Sequence, residues 1–430
     1  MNKKFLLLIG GILVCVLLNV AYIYTNFKTA VFLIISIYFI LISIYNIKYA
    51  VVLLLLLRSS IDVFSDKSLL ISGVNLNLSS LFAMYCIFMV FIYVVLNKIY
   101  IKNNIITAFI IFIVVGFISV ILPYNYHLGI VELFKYISIL AVYLIILYLN
   151  SKEENFDSHI TKAIILSSIV PLSVGLYQII FKKGFSSGFS SEQGLNRVYG
   201  TFVHPNSYAF YLLIIVVTIF IYNQKYERNK FFYLLGAVAL LELYFTYTRS
   251  AWLGMALIVV SYVFLSDISF NKKISFGIFL IILSIPIYNL TYHRFANIFS
   301  GSMEESSLAT RLYIWKGMFS VFKERPIIGY GIGSFKYYSN IVLNWRIEAH
   351  NDYLRLLFET GVIGLLTYMS IQFKVLKNIL KYKIDGYKVV SILICTFYLL
   401  SLSDNIIDMA VCQWYLWTLI AIYSEKQISI

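Results

Sequence analysis

Long apolar stretches alternate with short polar turns along the chain, the apolar runs falling at about 5–24, 29–46, 49–57, 77–96, 104–122, 128–149, 160–181, 207–222, 231–247, 251–266, 274–290, 352–373, 387–403 and 406–424. They are continuous, without the apolar–polar alternation that marks membrane β-strands, and so they predict helices. A bilayer core takes about 20 apolar residues per helix. The pattern predicts an all-α, polytopic integral membrane protein with about 12–14 transmembrane helices, built as a single membrane domain over residues 1–430. The range comes from the short run at 49–57 and from the last two runs, which very little chain separates. The first run, Phe5 to Tyr24, reads as a membrane helix and not as a cleaved signal peptide, because it is long and lacks a small-residue cleavage site.

Two polar stretches, 182–206 and 291–351, are too long for turns, and structureless loops of that size are usually functional or disordered. In the second, Leu312, Tyr313, Trp315, Met318, Phe319 and Phe322 recur at helical spacing. That spacing predicts a helix over Thr310–Phe322 lying on the outer surface, so the expected fold includes a large extracytoplasmic loop containing short helices.

Charge gives the expected orientation. Lys and Arg collect at Asn97–Asn103, Asn223–Lys230, Asp267–Lys273 and Lys374–Lys388, whereas Pro123–His127 has none. Cytoplasmic connections carry the excess of basic residues. The assignment puts both termini in the cytoplasm and the two long polar stretches outside. Composition agrees with a membrane class: 61% of residues are hydrophobic, 13% are charged, and mean hydropathy is +0.86. A water-soluble globule carries about 25% charged residues. The net charge of +14 reads as topology and contact with membrane lipid, with no nucleic-acid partner. Cys15, Cys86, Cys395 and Cys412 all lie in apolar runs and signal neither a disulfide framework nor a metal site. The outer stretch 291–351 nevertheless holds seven Lys or Arg against four Glu, a net of +3, and an anionic ligand explains that surplus.

The residues that could carry chemistry lie mostly on the predicted outer side. Gly329-Tyr330-Gly331-Ile332-Gly333 could cradle a phosphate with backbone N–H groups, or could form a plain turn before a helix. His350, followed by Asn351, sits where a polar loop re-enters the bilayer; there an imidazole is partly desolvated and suits proton abstraction from a sugar hydroxyl. It could equally be an interfacial or helix-capping histidine. Arg197, Arg249 and Arg311 fall on the same predicted face, and a guanidinium offers a planar fork to phosphate oxygens; singly, each could instead anchor to lipid headgroups. His204 before Pro205 suits either substrate contact or a structural loop role. Arg355 and Glu359, four apart on one helix, are expected to pair with each other.

These motifs resemble those of the O-antigen ligase and O-antigen polymerase superfamily of membrane glycosyltransferases. The resemblance rests on Arg197 to Asn206, the Thr248-Arg249-Ser250 turn, Arg311 with Trp315, Pro326 to Gly333, and His350-Asn351 with Tyr353, Leu354, Glu359 and Gly361. It covers the chain after about residue 190; before that, only the hydropathy is similar. It implies a multi-pass enzyme of the bacterial cytoplasmic membrane whose active site, between the stretches 182–206 and 291–351, is extracytoplasmic. Its donor would be an undecaprenyl-pyrophosphate-linked oligosaccharide and its acceptor a glycan hydroxyl. Neither cofactor nor metal is implied, and a chain-length regulator and a flippase would be further partners. Carried over to this sequence, Arg197, Arg249 and Arg311 engage the pyrophosphate, with His204 and Asn351 as further substrate contacts, and His350 is the catalytic base. The expected reaction is inverting.

Three readings stay open at this level. The first is a polymerase of cell-surface polysaccharide repeat units, slightly favoured because a composition rich in Ile, Lys, Asn and Tyr suggests a host with capsule or exopolysaccharide. The second is a ligase that attaches finished polysaccharide to an envelope acceptor. The third, from a different class, is a lipid-linked oligosaccharide flippase, which would place ionisable residues along a path through the bilayer; Glu132, Lys135 and Glu242 are the few candidates. A purely structural partner of an assembly complex is a remaining possibility.

Overall fold

A computed structural model describes residues 41–42, 45–62, 68–71, 74–96, 103–121, 126–183, 196–266, 269, 271, 273 and 307–424. The predicted helices at 5–24 and 274–290, most of 29–46, Cys15, and the stretches 184–195 and 291–306 lie outside the described residues. The described chain is helical apart from one short hairpin. Its elements are α1 Ile47–Arg58, β1 Ser68–Ile71, β2 Val74–Asn77, α2 Leu78–Leu96, α3 Asn104–Ile121, α4 Tyr126–Lys152, α5 Phe156–Leu166, α6 Ile169–Phe181, α7 Pro205–Lys225, α8 Lys230–Phe245, α9 Arg249–Leu265, α10 Ser307–Phe322, α11 Phe335–Leu343, α12 Asp352–Tyr382, α13 Tyr387–Leu400 and α14 Ala410–Ile422. The two strands pair antiparallel, Ser68 opposite Asn77.

Among the described residues five helical stretches are long and apolar enough to cross a membrane: Asn104–Ile121, Gly129–Lys152, Phe156–Phe181, Pro205–Lys225 and Asp352–Tyr382. Four shorter apolar helices accompany them, at Phe82–Val94, Arg249–Leu265, Tyr387–Leu400 and Ala410–Ile422. One apolar core runs through the bundle, with α12 packed on α3 and α14 on α4. The helix expected over Thr310–Phe322 is present as α10, which contributes to a separate small cluster of Ile314, Met318, Phe322, Tyr330, Phe335, Ala349 and Phe358.

Two of the apolar runs depart from a single straight helix. The run at 160–181 breaks at Ser167-Ser168, whose hydroxyls donate back to the carbonyls of Ile164 (2.7 Å) and Ile165 (2.6 Å) and so bend the helix. The helix from Asp352 continues past the apolar run into the basic segment as far as Tyr382. It also kinks at Gly361, where φ is 66° and ψ −171°. The kink frees two carbonyls and two amides, and the glycine-rich segment takes up all four. Tyr330 N donates to Phe358 O (2.9 Å) and Gly331 N to Glu359 O (2.7 Å), while Val362 N and Ile363 N donate to Pro326 O (2.9 Å) and Ile327 O (3.4 Å). The segment 326–331 is therefore a backbone plug for the kinked helix, with its Tyr330 and Gly331 amides given to that helix and its Gly329 amide to Arg325 O (3.1 Å).

The connections sort to two ends. At one, Lys48 pairs with Glu153 (3.0 Å), Lys225 with Asp157 (2.8 Å) and Lys162 with Glu227 (3.3 Å), and Lys388 Nζ donates to Leu265 O (3.4 Å). Of these residues, Lys225, Glu227 and Lys388 belong to the basic connections that the sequence is expected to place in the cytoplasm. The other end holds the start of α12 and the α13–α14 connection, where Asp352 N donates to Ser401 O (2.8 Å) and Asp352 Oδ2 accepts from Ile407 N (2.9 Å).

The plug yields a prediction. A Cβ on Gly361 would fall inside the Ile327 carbonyl, and one on Gly329 would lie 2.6 Å from Glu359 C, each at a positive φ. Gly361→Ala should destabilise the protein by more than about 2 kcal/mol, seen as a lowered melting temperature of the detergent-solubilised chain, whereas Gly236→Ala, which meets only ordinary contacts at 3.7 Å, should be nearly neutral.

Candidate active site

A cavity of about 490 Å³ opens at the α12 start, within the usual size of ligand sites. The end of α1, the first turns of α2, α4, α7, α11 and α12, and the α13–α14 connection line it. That connection, 401–409, is buried irregular backbone, which a membrane protein tolerates only where it is enclosed by protein or faces a cavity. It delivers two carboxylates, Asp404 and Asp408.

Asp404 is 3% exposed. Its Oδ2 accepts from Ser250 Oγ (3.1 Å) and Asn206 Nδ2 (3.4 Å), and its Oδ1 from Asn405 N (3.1 Å). Its charge acts on His204, His350 and Arg311. Those four side chains form the polar centre of the site.

His350 is held by backbone geometry. Trp315 Nε1 donates to Ala349 O (2.7 Å), and Asn351 Oδ1 caps α12 by accepting from Leu354 N (3.0 Å). Between these anchors His350 takes φ +50°, a left-handed conformation that costs about 1–3 kcal/mol unless the surroundings enforce it. Its Nδ1 is buried and has no hydrogen-bond partner among the described residues. Burial pushes its pKa down, and Arg311 pushes the same way, with Asp404 and Glu348 opposing. The imidazole is thus kept neutral, the form that accepts a proton.

His204 caps α7, its Nδ1 accepting from Asn206 N (3.0 Å), and it too lines the cavity. Burial, then Arg197, lower its pKa to about 4. Arg311 is half-buried on α10 with no hydrogen bond or ion pair among the described residues, and burial lowers its pKa as well. An uncompensated, partly desolvated guanidinium is a ready anion site. Arg249 opens α9, half-buried, immediately before the Ser250 that holds Asp404. Arg197 is occupied: Nε donates to Thr246 O (2.8 Å), and Nη2 to Asn206 Oδ1 (2.7 Å) and Thr248 Oγ1 (3.0 Å). It fixes the turn that carries Arg249. The side chain of Asn351 is engaged as a helix cap and is not part of the cavity wall.

The structure also supplies pairings, and the carboxylates Asp404 and Asp408, that sequence reasoning missed. Arg355 does not pair with Glu359 as expected; it pairs with Asp408, which the irregular connection brings to the guanidinium, and with Asp352 (3.4 Å), three residues earlier on the same helix. Glu359 Oε1 instead accepts from Phe335 N (3.2 Å) at the start of α11. Further ion pairs line the cavity: Arg58 with Asp62 (2.8 Å), Lys135 with Glu132 (2.6 Å), and Lys336 with Glu348. Acidic residues inside an otherwise apolar stretch mark function by default, and Asp404 and Asp408 in the last apolar region carried that signal.

The depressed histidines tie stability to pH. Both bind protons more weakly in the folded chain than at their ordinary value near 6.5. The unfolded chain therefore takes up protons first, so stability is complete above about pH 6.5 and is lost as pH falls toward about 4. Asn also caps helices well. His204→Asn should keep the α7 cap and flatten the fall in melting temperature between those pH values; an unchanged acid profile would contradict the assignment.

Residues 234–369 match the O-antigen ligase family profile. A protein of Rickettsia prowazekii, named as a candidate polysaccharide ligase, is 31% identical over 98 residues, 20% of this chain and 24% of its own length. Its counterpart in Rickettsia bellii is 26% identical over 178 residues, 38% of this chain and 43% of that protein. The ComP-specific O-oligosaccharyltransferase of Acinetobacter baylyi is 24% identical over 302 residues, 66% of this chain and 50% of that enzyme. The chain thus spans about a quarter of the length of the first of these relatives and half that of the last. The matched segment contains Arg249, Arg311, the glycine plug and His350, so the similarity to the O-antigen ligase profile extends over the stretch that carries these motifs.

Proposed function

We propose that the chain is a membrane ligase that transfers a glycan from a polyprenyl-diphosphate donor to a hydroxyl of an envelope acceptor. The observation that carries this reading is His350: a neutral, backbone-locked imidazole at a cavity, in the field of an uncompensated Arg311. The family match and the ligase and oligosaccharyltransferase names of the relatives favour a ligase over the polymerase that composition alone favours.

In this scheme His350 takes the proton of the acceptor hydroxyl as its oxygen attacks the anomeric carbon. The bond from that carbon to the diphosphate oxygen breaks, and the diphosphate leaves with the electron pair from the opposite face, inverting the centre. Arg311 and Arg249 meet the developing charge; preorganised cations in a water-poor site stabilise it without reorganisation. Arg197 is a positioning residue for the Arg249 turn. Guanidinium groups carry the electrostatic role that a metal plays elsewhere, so transfer should persist in EDTA.

The orientation of the bundle supports an extracytoplasmic site in the cytoplasmic membrane. The end stapled by Lys48, Lys225 and Lys388 carries the basic connections and faces inward under the positive-inside rule, leaving the cavity outside. The flippase reading loses ground because the buried charges sit at the end of α1, in the first turns of α4 and α12, in the last turn of α8 and in the α13–α14 connection, near helix ends instead of along a path through the bundle.

A deletion strain of the host tests the assignment: long polysaccharide left on its lipid and unattached indicates a ligase, single repeat units still attached a polymerase, and units trapped on the inner leaflet a flippase. His350→Gly should reduce transfer by at least about 100-fold while leaving the melting temperature unchanged or raised, since glycine accepts the left-handed φ without strain. Normal polymer from this variant would reject His350 as the base. The acid limb of the rate profile should lie below about pH 6.5, in the direction of the lowered His350 value.

A further inference from the structure

The transfer scheme leaves Glu242 unused. This acid lies in the last turn of α8, fully buried, between the exposed Leu241 and Tyr244. It makes no ion pair among the described residues; the Tyr208 hydroxyl donates to its Oε2. Its seat is a gap in α6, where a Cβ on Gly175 would overlap the carboxylate. Glycine weakens a helix interior, and an acid in an apolar layer is costly. Adhesion between helices requires neither.

Both partners sit where α7 and α8 reach the polar end of the bundle. Tyr208 is two residues beyond Asn206, and its amide donates to His204 O (3.2 Å), while Glu242 O accepts from Thr246 N (3.0 Å). Arg197 already joins the same two elements, reaching from Thr246 O and Thr248 Oγ1 to Asn206 Oδ1. Glu242 and Tyr208 form a second clasp deeper in the bundle. The segment 197–200 is wedged beside them: Val198 N donates to Phe245 O (3.0 Å), and Gln178 Oε1 on α6 accepts from Tyr199 N (3.1 Å) and Gly200 N (3.0 Å). At Gly200, with φ +54°, a Cβ would lie 2.9 Å from Tyr208 Cζ, so the tyrosine ring is gripped by that glycine and its hydroxyl by Glu242. Asn206 in turn holds Asp404, and Thr248 precedes Arg249 at the start of α9. The fit of α7 against α8 therefore sets how far the Arg249 turn stands from the Asp404 carboxylate.

Apolar packing tolerates small shifts, whereas a polar pair in an apolar layer fixes one arrangement, because a shift strands both groups without partners. We propose that Glu242 is a positioning residue: through Tyr208 it sets α7 against α8 and so places Arg249 relative to Asn206 and Asp404. Neither Glu242 nor Tyr208 lines the cavity, so the pair acts through other residues. The proposal deepens the transferase reading and rests on it for the identity of the anion that Arg249 meets.

Variants of the full chain are expressed in the host's deletion strain. In membrane vesicles from those cells, which hold the native acceptor, transfer is followed as donor lipid extracted from the same strain is titrated in; binding of inorganic pyrophosphate is measured by calorimetry on the chain in lipid nanodiscs. Tyr208→Phe and Glu242→Met should each raise the donor KM and weaken pyrophosphate roughly three- to ten-fold, with kcat within about two-fold of wild type. Glu242→Gln keeps an acceptor for the Tyr208 hydroxyl and should restore both values. The double variant Tyr208→Phe/Glu242→Met should lose no more than either single variant, since one contact is removed once. Leu235→Ala opens a gap in the buried face of α8 away from the clasp; it should lower the melting temperature and leave the donor KM unchanged. An equal rise in KM in Leu235→Ala would reduce Glu242 to general helix adhesion and overturn the proposal, as would unchanged KM and pyrophosphate affinity in the folded single variants. If a single variant fails to insert, the double variant, which strands no lone polar partner, carries the test. A wild type that neither transfers nor binds pyrophosphate defeats the transferase reading instead. The ring-nitrogen NMR signals of His204 then decide the placement: they should shift in Glu242→Met and stay in place in Glu242→Gln and Leu235→Ala, and no shift in Glu242→Met overturns it.

Discussion

A carboxylate taken out of water must be surrounded by donors, and at Asp404 this requirement organises the whole polar end of the bundle. Removing an ion from water costs several kcal/mol even after relaxation. No Lys or Arg hydrogen-bonds to Asp404 among the described residues; Ser250, Asn206 and the Asn405 amide do so instead. Asn206 also receives Arg197, and Ser250 follows Arg249, so the carboxylate joins the start of α7 and the turn before α9 to the α13–α14 connection. Leaving Asp404 without a direct cationic partner keeps its field available to His204, His350 and Arg311. A direct Arg–Asp404 pair would hold the acid more firmly and would consume the cation.

That arrangement depends on irregular backbone existing where the sequence looks apolar. The connection 401–409 survives because its polar backbone groups are enclosed and partnered: Asp352 bridges Ser401 and Ile407, Gln413 Nε2 donates to Ile406 O (3.1 Å), and Arg355 takes Asp408. The same logic appears at Gly361, where a broken helix is completed by the 326–331 segment. Each break places side chains that a straight helix could not: Asp404 and Asp408 at one, and Glu359 against the α11 start at the other.

The features legible in the sequence are those fixed by solvent and by local spacing. Apolar runs gave α3, α4, α7 and α9 within a few residues, and the spacing of Leu312, Trp315 and Phe319 gave α10. Single-residue chemistry pointed to His350, because a polar loop entering an apolar helix is visible locally, and the structure puts that residue on the cavity wall. What was not legible is pairing. Arg355 lies four residues from Glu359, as helix pairing requires, yet it turns to Asp408, 53 positions away, since the α13–α14 connection approaches from a direction that spacing does not encode. Arg197 looked like a phosphate ligand and is spent on Thr246, Asn206 and Thr248 for the same reason. The glycine triplet looked like a phosphate cradle, and its Tyr330 and Gly331 amides serve a helix kink that only the tertiary structure creates.

On the transferase reading, the molecule to be handled has parts that need different surroundings, and the end of a helical bundle can offer all of them at once. An apolar tail is solvated by lipid at the sides of the helices. A diphosphate needs cations that are not already neutralised, which among the placed groups describes Arg311. A sugar needs donors and acceptors in the same place, which the paired acids and bases of the cavity wall provide. Pairing the acids and bases of the cavity wall keeps them from competing for the diphosphate, and Arg311, with no hydrogen bond or ion pair among the described residues, is left to meet it. Asp404 stands between the two chemistries and His350 faces both, so the boundary between paired and unpaired charge coincides with the point where the bond would be exchanged.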